Sequence, residues 1–301
     1  MPIWIFFSVA AAFVQAMRFM LQKQLSMGGL TPAGATFARF AFSSPLIWVI
    51  LAVYTALAGV AFPSTSPLFW GYAVVGGISQ ILATICVVAL FKERNFAVGI
   101  TFKKTEVIQT AIVGFVVLGD ALSSAAILAI LIGFVGVIIL SDPPEGGSGK
   151  WYARITNKAA ALGLASGVLF GFSATFYRGA SLNLGLEDPL FRAGVTLGFV
   201  TLIQTAVMAV WMQMFQQGQV AKVLGNWRKA GLVGITSMIG SYCWFTAFTL
   251  QNAAYVKAVG QIELIFSFLI GVFVFREKTK RREFLAMGLI ALSILVLVIG
   301  A

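Results

Sequence analysis

Residues 141–150 read SDPPEGGSGK, the longest polar interruption in a chain of 301 residues. Its two prolines and three glycines break helix, and Asp142, Glu145 and Lys150 hold it in water. On either side the sequence is almost continuously apolar. Five apolar runs precede it, at roughly 3–24, 34–58, 68–91, 97–118 and 124–141; five follow, at roughly 158–180, 190–215, 228–250, 254–275 and 284–300. The stretch therefore divides the chain into a first unit at 1–141, a linker at 142–157 and a second unit at 158–301.

The composition says what the runs are. Hydrophobic residues make up 59% of the chain and charged residues 10%, against about 45–50% and 25% in soluble domains. A globule in water could not hide so much apolar surface. One helical crossing of a bilayer takes about 20 apolar residues, and each run is long enough. Lipid offers no partner to a bare backbone amide, so the runs are read as helices. They lack the strict alternation of a membrane β-barrel. The expectation is an all-α integral membrane protein with ten transmembrane helices. The first run has no basic residue before Arg18, unlike a secretory signal, so it reads as a retained helix.

The two units repeat each other. A shift of 157 positions carries Pro32 onto Pro189, Trp70 onto Trp227, Cys86 onto Cys243, Asn95 onto Asn252, Glu106 onto Glu263 and Gly114 onto Gly271, and sets Asp120 opposite Glu277. Five spans is an odd number, so the second copy enters the membrane from the opposite side. Two inverted five-helix repeats are an arrangement of secondary transporters, whose site lies at the midplane between the copies.

Charge supplies the orientation. The net charge is +11, from 21 basic and 10 acidic residues, and the cations concentrate in alternate loops: Lys23; Lys92 and Arg94; Lys150, Arg154 and Lys158; Lys222, Arg228 and Lys229; and the run at 276–282. The other loops carry Asp120, Glu187 and Asp188. The positive-inside bias places the basic loops in the cytoplasm and both termini outside, as in a multi-pass inner-membrane protein. This bias accounts for the basic excess without invoking nucleic acid.

Ten spans, a five-plus-five duplication and this chain length resemble the drug/metabolite transporter (DMT) superfamily, in particular its EamA-type transporters. Each half also ends as that family's halves do. VVLGDALSSAAILAILIGFVGVIIL at 116–140 and VFVFREKTKRREFLAMGLIALSIL at 272–295 each run from a span through a short turn with an acid to a glycine-bearing last span. The resemblance implies a carrier of small solutes. It does not choose among amino acids, sugars, nucleotide derivatives, phosphorylated compounds and drugs.

Ionisable residues inside a span cost about 2.5–3.5 kcal/mol on insertion scales and mark functional sites. The fourth run, GITFKKTEVIQTAIVG at 99–114, puts Gly99, Lys103, Glu106, Thr110 and Gly114 on one helical face. Lys103 and Glu106 are three apart and suit an intrahelical pair. In the ninth run Glu263 and Ser267 repeat that face, while Lys257 has no acid three or four positions away and shares a second polar face with Gln261. The substrate-binding candidates are Lys103, Lys104, Glu106, Lys257, Gln261 and Glu263, joined by Arg39 and, as a wall for an apolar moiety, by Tyr242 and Trp244, with Phe176 and Tyr177 beside them. Glu106 and Glu263 are the candidates for proton coupling. Structural salt bridges between the fourth and ninth runs are the alternative. Arg18 and Arg178 read as snorkelling near helix ends, and Arg192 as a local surface partner of Glu187 and Asp188.

Several classes drop out. Histidine is absent and Cys86 and Cys243 are the only cysteines, which leaves no catalytic triad, zinc set or haem ligand pair. No P-loop motif is present. An enzyme, a metal and a cofactor are therefore not expected. Seven intraspan cations against two carboxylates favour an anionic or zwitterionic cargo: an organic acid, an amino acid or a phosphorylated metabolite, moved by alternating access. A proton-coupled exporter of drugs or lipophilic cations is the alternative. A channel is disfavoured, because the polar residues cluster on few spans. The partners expected are the solute and the bilayer; a monomer suffices, and a dimer is compatible.

Overall fold

The computed structural model describes residues 2–93, 103–104, 106–140, 158–276 and 281–300. The linker at 142–157, the matched position Asn95, Gly99 of the fourth run and the basic loop residues Arg94, Lys150, Arg154, Lys278 and Lys280 lie outside them, as does Glu277. Among the described residues the regular elements are helices: α1 (Ile3–Met27), α2 (Pro32–Ala58), α3 (Pro67–Glu93), α4 (Glu106–Leu118), α5 (Ser124–Leu140), α6 (Lys158–Leu182), α7 (Pro189–Phe215), a short α8 (Gln219–Gly225), α9 (Trp227–Leu250), α10 (Ala253–Val259), a 3₁₀ turn at Gly260–Ile262, α11 (Glu263–Phe273) and α12 (Arg281–Gly300).

The sequence starts equivalent helices with equivalent chemistry. Thr31 caps α2 by accepting from the Gly34 amide, with Pro32 in the first turn. Asp188, 157 positions on, caps α7 by accepting from the Leu190 amide, with Pro189 in the first turn. A polar cap followed by proline satisfies one orphan amide and removes another.

Six helical stretches have the length and hydropathy of a membrane crossing: α1, α2, α3, α7, α9 and α10–α11 taken together. Glu106–Leu118, Ser124–Gly136 and Phe284–Val296 are shorter apolar helices. The outward faces are apolar; Val49, Ile50, Val53 and Leu57 of α2 and Val207, Val210, Trp211 and Met214 of α7 are exposed. An exterior of that kind suits lipid tails, and the chain is a multi-pass helical membrane protein.

Helices of the two halves interleave rather than forming two separate bundles. α1 packs on α9 and α3 on α6; α2 packs on α9 and α3 on α7; α4 packs on α6 and α1 on α11. Each pair becomes the other when the halves are exchanged, and α2–α7 and α5–α12 exchange into themselves. Close approach requires small residues. At Gly234 of α9 the backbone of Phe42 on α2 occupies the place a Cβ would take.

The loops at one end of the molecule are tied together. Arg178, at the end of α6, donates to the carbonyls of Phe248 and Gln251 at 2.8 Å and pairs with Asp120 at 3.1 Å. At the opposite end, the Thr31 hydroxyl donates to Gln216 at 2.7 Å, and Gln219 accepts from the Thr31 amide. Two expectations change here. Arg178 is a cross-brace between three helix ends rather than a snorkelling side chain. Arg192 donates to the Leu186 carbonyl, not to Glu187 or Asp188, because Asp188 is engaged as the α7 cap and by Tyr54.

Candidate functional site

The ninth membrane segment changes winding at its centre, and Glu263 stands just after the change. The ninth segment runs as α10, the 3₁₀ turn, then α11, which begins on Glu263. In the fourth, Lys103 and Lys104 precede α4, which begins on Glu106. Most of the first part of the expected fourth run, 97–102 and 105, lies outside the described residues.

The break is built from small and bulky partners. Gly260 lies against the ring of Trp244, which fills the space a Cβ would need. Asn252 caps α10 by accepting from the Ala254 amide at 2.8 Å, so the helix bearing Lys257 starts at a fixed point.

The charges then meet across helices. Lys104 Nζ approaches Glu263 Oε2 to 2.5 Å and donates to the Gly260 carbonyl at 3.0 Å. Lys103 Nζ is 3.0 and 3.2 Å from the two Glu263 oxygens and 3.9 Å from Glu106. Gln15 of α1 donates to Glu263 at 2.9 Å, accepts from Trp244 Nε1 at 3.0 Å and from Arg18 at 3.3 Å. Glu263 is thus saturated. Glu106 is not: its nearest cation is Lys257 at 3.4 Å, with Lys103 and Lys104 both at 3.9 Å. All these side chains are buried. The expected Lys103–Glu106 pair exists only as the longer contact, because Lys103 stands before the helix that Glu106 begins.

Arg18 does not snorkel. It is 1% exposed, with its guanidinium 4.5 Å over the Phe19 ring, because α1 runs on for nine residues beyond it. Arg39, 2% exposed, donates to Ser237, Thr84 and Ser241 at 3.0, 3.0 and 3.2 Å. Among the described residues no carboxylate lies within ion-pair distance of it.

A narrow cavity, with room for about one water as the helices stand, opens beside this cluster. Lys257 is its charged wall. Trp244, Phe170, Phe245 and Phe248 supply aromatic faces, and Gln15, Gln80, Ser173, Tyr177 and Ser241 supply amides and hydroxyls. Tyr177 is fixed by Gln80 and Gln204, at 3.0 and 3.1 Å. Of the sequence candidates, Lys257 and Trp244 line the cavity, as does Tyr177. Lys103, Lys104, Glu106 and Glu263 form the ion cluster behind it. Arg39 reaches it through Ser241. Tyr242 points elsewhere and donates to the Leu190 carbonyl. Gln261 packs on Gly133 of α5, outside the lining. Gln15, Gln80, Phe170, Ser173, Ser241 and Phe248 were not singled out; uncharged polar residues inside apolar runs give little signal, although a mid-span glutamine carries a desolvation cost that could have flagged Gln15.

A lipid-compatible exterior around a buried nest of charges defines a polytopic membrane protein with a polar centre. Residues 157–299, the second half of the chain, match the EamA-like transporter family, so that half is similar to membrane transporters of the drug/metabolite type. One solved structure, described only as "Crystal structure of protein", superposes on 97% of this chain and 99% of its own with a TM-score of 0.68 at 16% identity, which speaks for the fold alone. No curated protein matches the chain.

Proposed function

We propose that the chain is a secondary transporter for a small anionic or zwitterionic organic solute, working by alternating access. The observation that carries this is the cavity itself. Among the described residues its only ionic wall is Lys257, and five buried cations, Arg18, Arg39, Lys103, Lys104 and Lys257, lie in the region against two carboxylates, Glu106 and Glu263. An excess of desolvated cations favours an anion. In this reading 1–141 and 158–301 are inverted five-helix repeats that rock about the cluster, joined by a cytoplasmic linker at 142–157. Both termini face outward, the basic loops lie in the cytoplasm, and the membrane is the inner one. The symmetric contact pattern and the matched helix caps at Thr31 and Asp188 support it. Glu106, the less saturated carboxylate, is the better placed of the two to exchange a proton. The aromatic wall favours a second reading, export of lipophilic cations or drugs coupled to protons.

The test is uptake into proteoliposomes from a panel of organic acids, amino acids, sugar phosphates and lipophilic cations. Saturable uptake of an anion, abolished in Lys257→Gln with the fold intact by thermal unfolding, is expected. Uptake confined to lipophilic cations, or anion uptake indifferent to Lys257, overturns the reading.

A further inference from the structure

We infer that the cargo is an aromatic monocarboxylate without an amino group, its carboxylate replacing Glu106 on Lys257. This narrows the proposed function and rests on it. Three observations carry the inference. First, among the described residues the cavity lining holds one ion, a cation, and no carboxylate: Glu263 is held by Lys103, Lys104 and Gln15, and Glu106 lies behind Lys257. An ammonium group there would meet only hydroxyls, amides and ring faces. Three of those rings, Trp244, Phe170 and Phe248, already lie 4.7, 5.5 and 5.6 Å from Lys257 Nζ, so a second cation on them would face like charge. The cavity therefore rejects both lipophilic cations and the amino end of an amino acid.

Second, the three lysines are not held equally. Lys104 and Lys103 lie 2.5 and 3.0 Å from Glu263, whereas Lys257 lies 3.4 Å from Glu106. Lys257 is the cation that changes partner with the least loss. When an incoming carboxylate takes it, Glu106 keeps Lys103 and Lys104, each 3.9 Å away. No proton need move: the three lysines face two carboxylates, Glu106 and Glu263, before the cargo binds and three afterwards.

Third, much of the remaining lining is aromatic. Trp244 and Phe248, one turn apart on α9, stack on each other at 5.7 Å, and Tyr177 meets Phe245 at 4.4 Å, so the rings form a continuous aromatic surface along the cavity. A flat apolar body packs on such a surface as the helices part. Arg39, with no carboxylate partner among the described residues, adds positive potential through Ser241.

The experiment is thermal unfolding of the full chain in detergent with 3-phenylpropionate, its amide, the corresponding amine, phenylalanine and hexanoate. A ligand that binds the folded form alone raises its midpoint. The phenylpropionate anion is expected to raise the midpoint by several degrees, and the amide, amine and phenylalanine to leave it unchanged. Lys257→Gln should lose the shift and Lys257→Arg keep it. Trp244→Leu should reduce the response to phenylpropionate to that given by hexanoate. A response to hexanoate or to phenylalanine equal to that of phenylpropionate, still dependent on Lys257, overturns this inference and leaves the anion-transport reading standing. A response to the amine alone, or one unchanged in Lys257→Gln, overturns both.

Discussion

Replacing Glu263 with glutamine tests whether the buried charges are organised as described. The side chain is fully buried, with ammonium groups at 2.5 and 3.0 Å. Glutamine fills the same space but strands both lysines, whose next carboxylate is Glu106 at 3.9 Å. Removing one partner of a buried ion pair costs about 3–5 kcal/mol. Two lysines are stranded, but Glu106 stays within reach of both, so the expected loss falls at about 4 kcal/mol on that scale. Glu106→Gln frees Lys257, whose contact is 3.4 Å and which borders the cavity, so a smaller loss of about 1.5–3 kcal/mol is expected, the range for one hydrogen bond to a charged group. Adding Lys104→Met to Glu263→Gln removes one stranded charge and should restore about 1–2 kcal/mol, a coupling typical of groups in contact. Unfolding in mixed micelles, followed by tryptophan emission, reads all three. Trp244 is a local reporter because it donates to Gln15, which itself holds Glu263. If Glu106→Gln proves as costly as Glu263→Gln, or the double variant is weaker than the single one, the assignment of partners is wrong.

Other expectations follow from single features. Gly260→Ala would push a methyl group into the Trp244 ring and should lower stability by about 1–3 kcal/mol, the usual cost of overpacking; calorimetric or fluorescence melting checks it. Arg178→Ala leaves the carbonyls of Phe248 and Gln251 and the carboxylate of Asp120 without their donor. A loss of about 1–3 kcal/mol is expected, with faster labelling by thiol reagents of a cysteine placed at Ser123, since the brace ties that loop down; unchanged labelling would contradict the brace. In a background lacking Cys86 and Cys243, an impermeant maleimide should modify Glu187→Cys in intact cells and Lys222→Cys only after permeabilisation. The reverse pattern would invert the proposed orientation.

The fold was legible where physics is local. Proline after a capping residue marks the starts of α2 and α7, and apolar run lengths give the ends of most helices within a few residues. The 157-position shift pairs residues that do share structural roles, among them Glu106 with Glu263 at two helix starts. The break at Gly260–Ile262 was hidden, since hydropathy is blind to a change from α to 3₁₀ winding within one apolar run. Partner choice was hidden too. Spacing along a helix suggests Lys103 with Glu106 and leaves Lys257 alone, yet Lys103 turns to Glu263 and Lys257 to Glu106. Those partners are about 150 positions apart and meet only because the two halves interleave. The lining of the cavity by Phe170, Ser173 and Phe248 follows from how α6 and α9 rotate about their axes, which a pattern of near-uniform hydrophobicity leaves unspecified.

The exchange symmetry of the helix contacts bears on how the molecule could change shape. Suppose the first five helices took up the arrangement now held by the second five, and the reverse. The α1–α9 and α3–α6 neighbours would trade places, α2–α7 and α5–α12 would stay as they are, and every helix would keep a neighbour of the same kind. Two opposite openings can thus be nearly equal in energy without any pair of helices parting company. In the proposed alternating-access cycle, small differences between the copies, such as Thr31 against Asp188 at equivalent helix starts, would decide which opening the resting protein prefers.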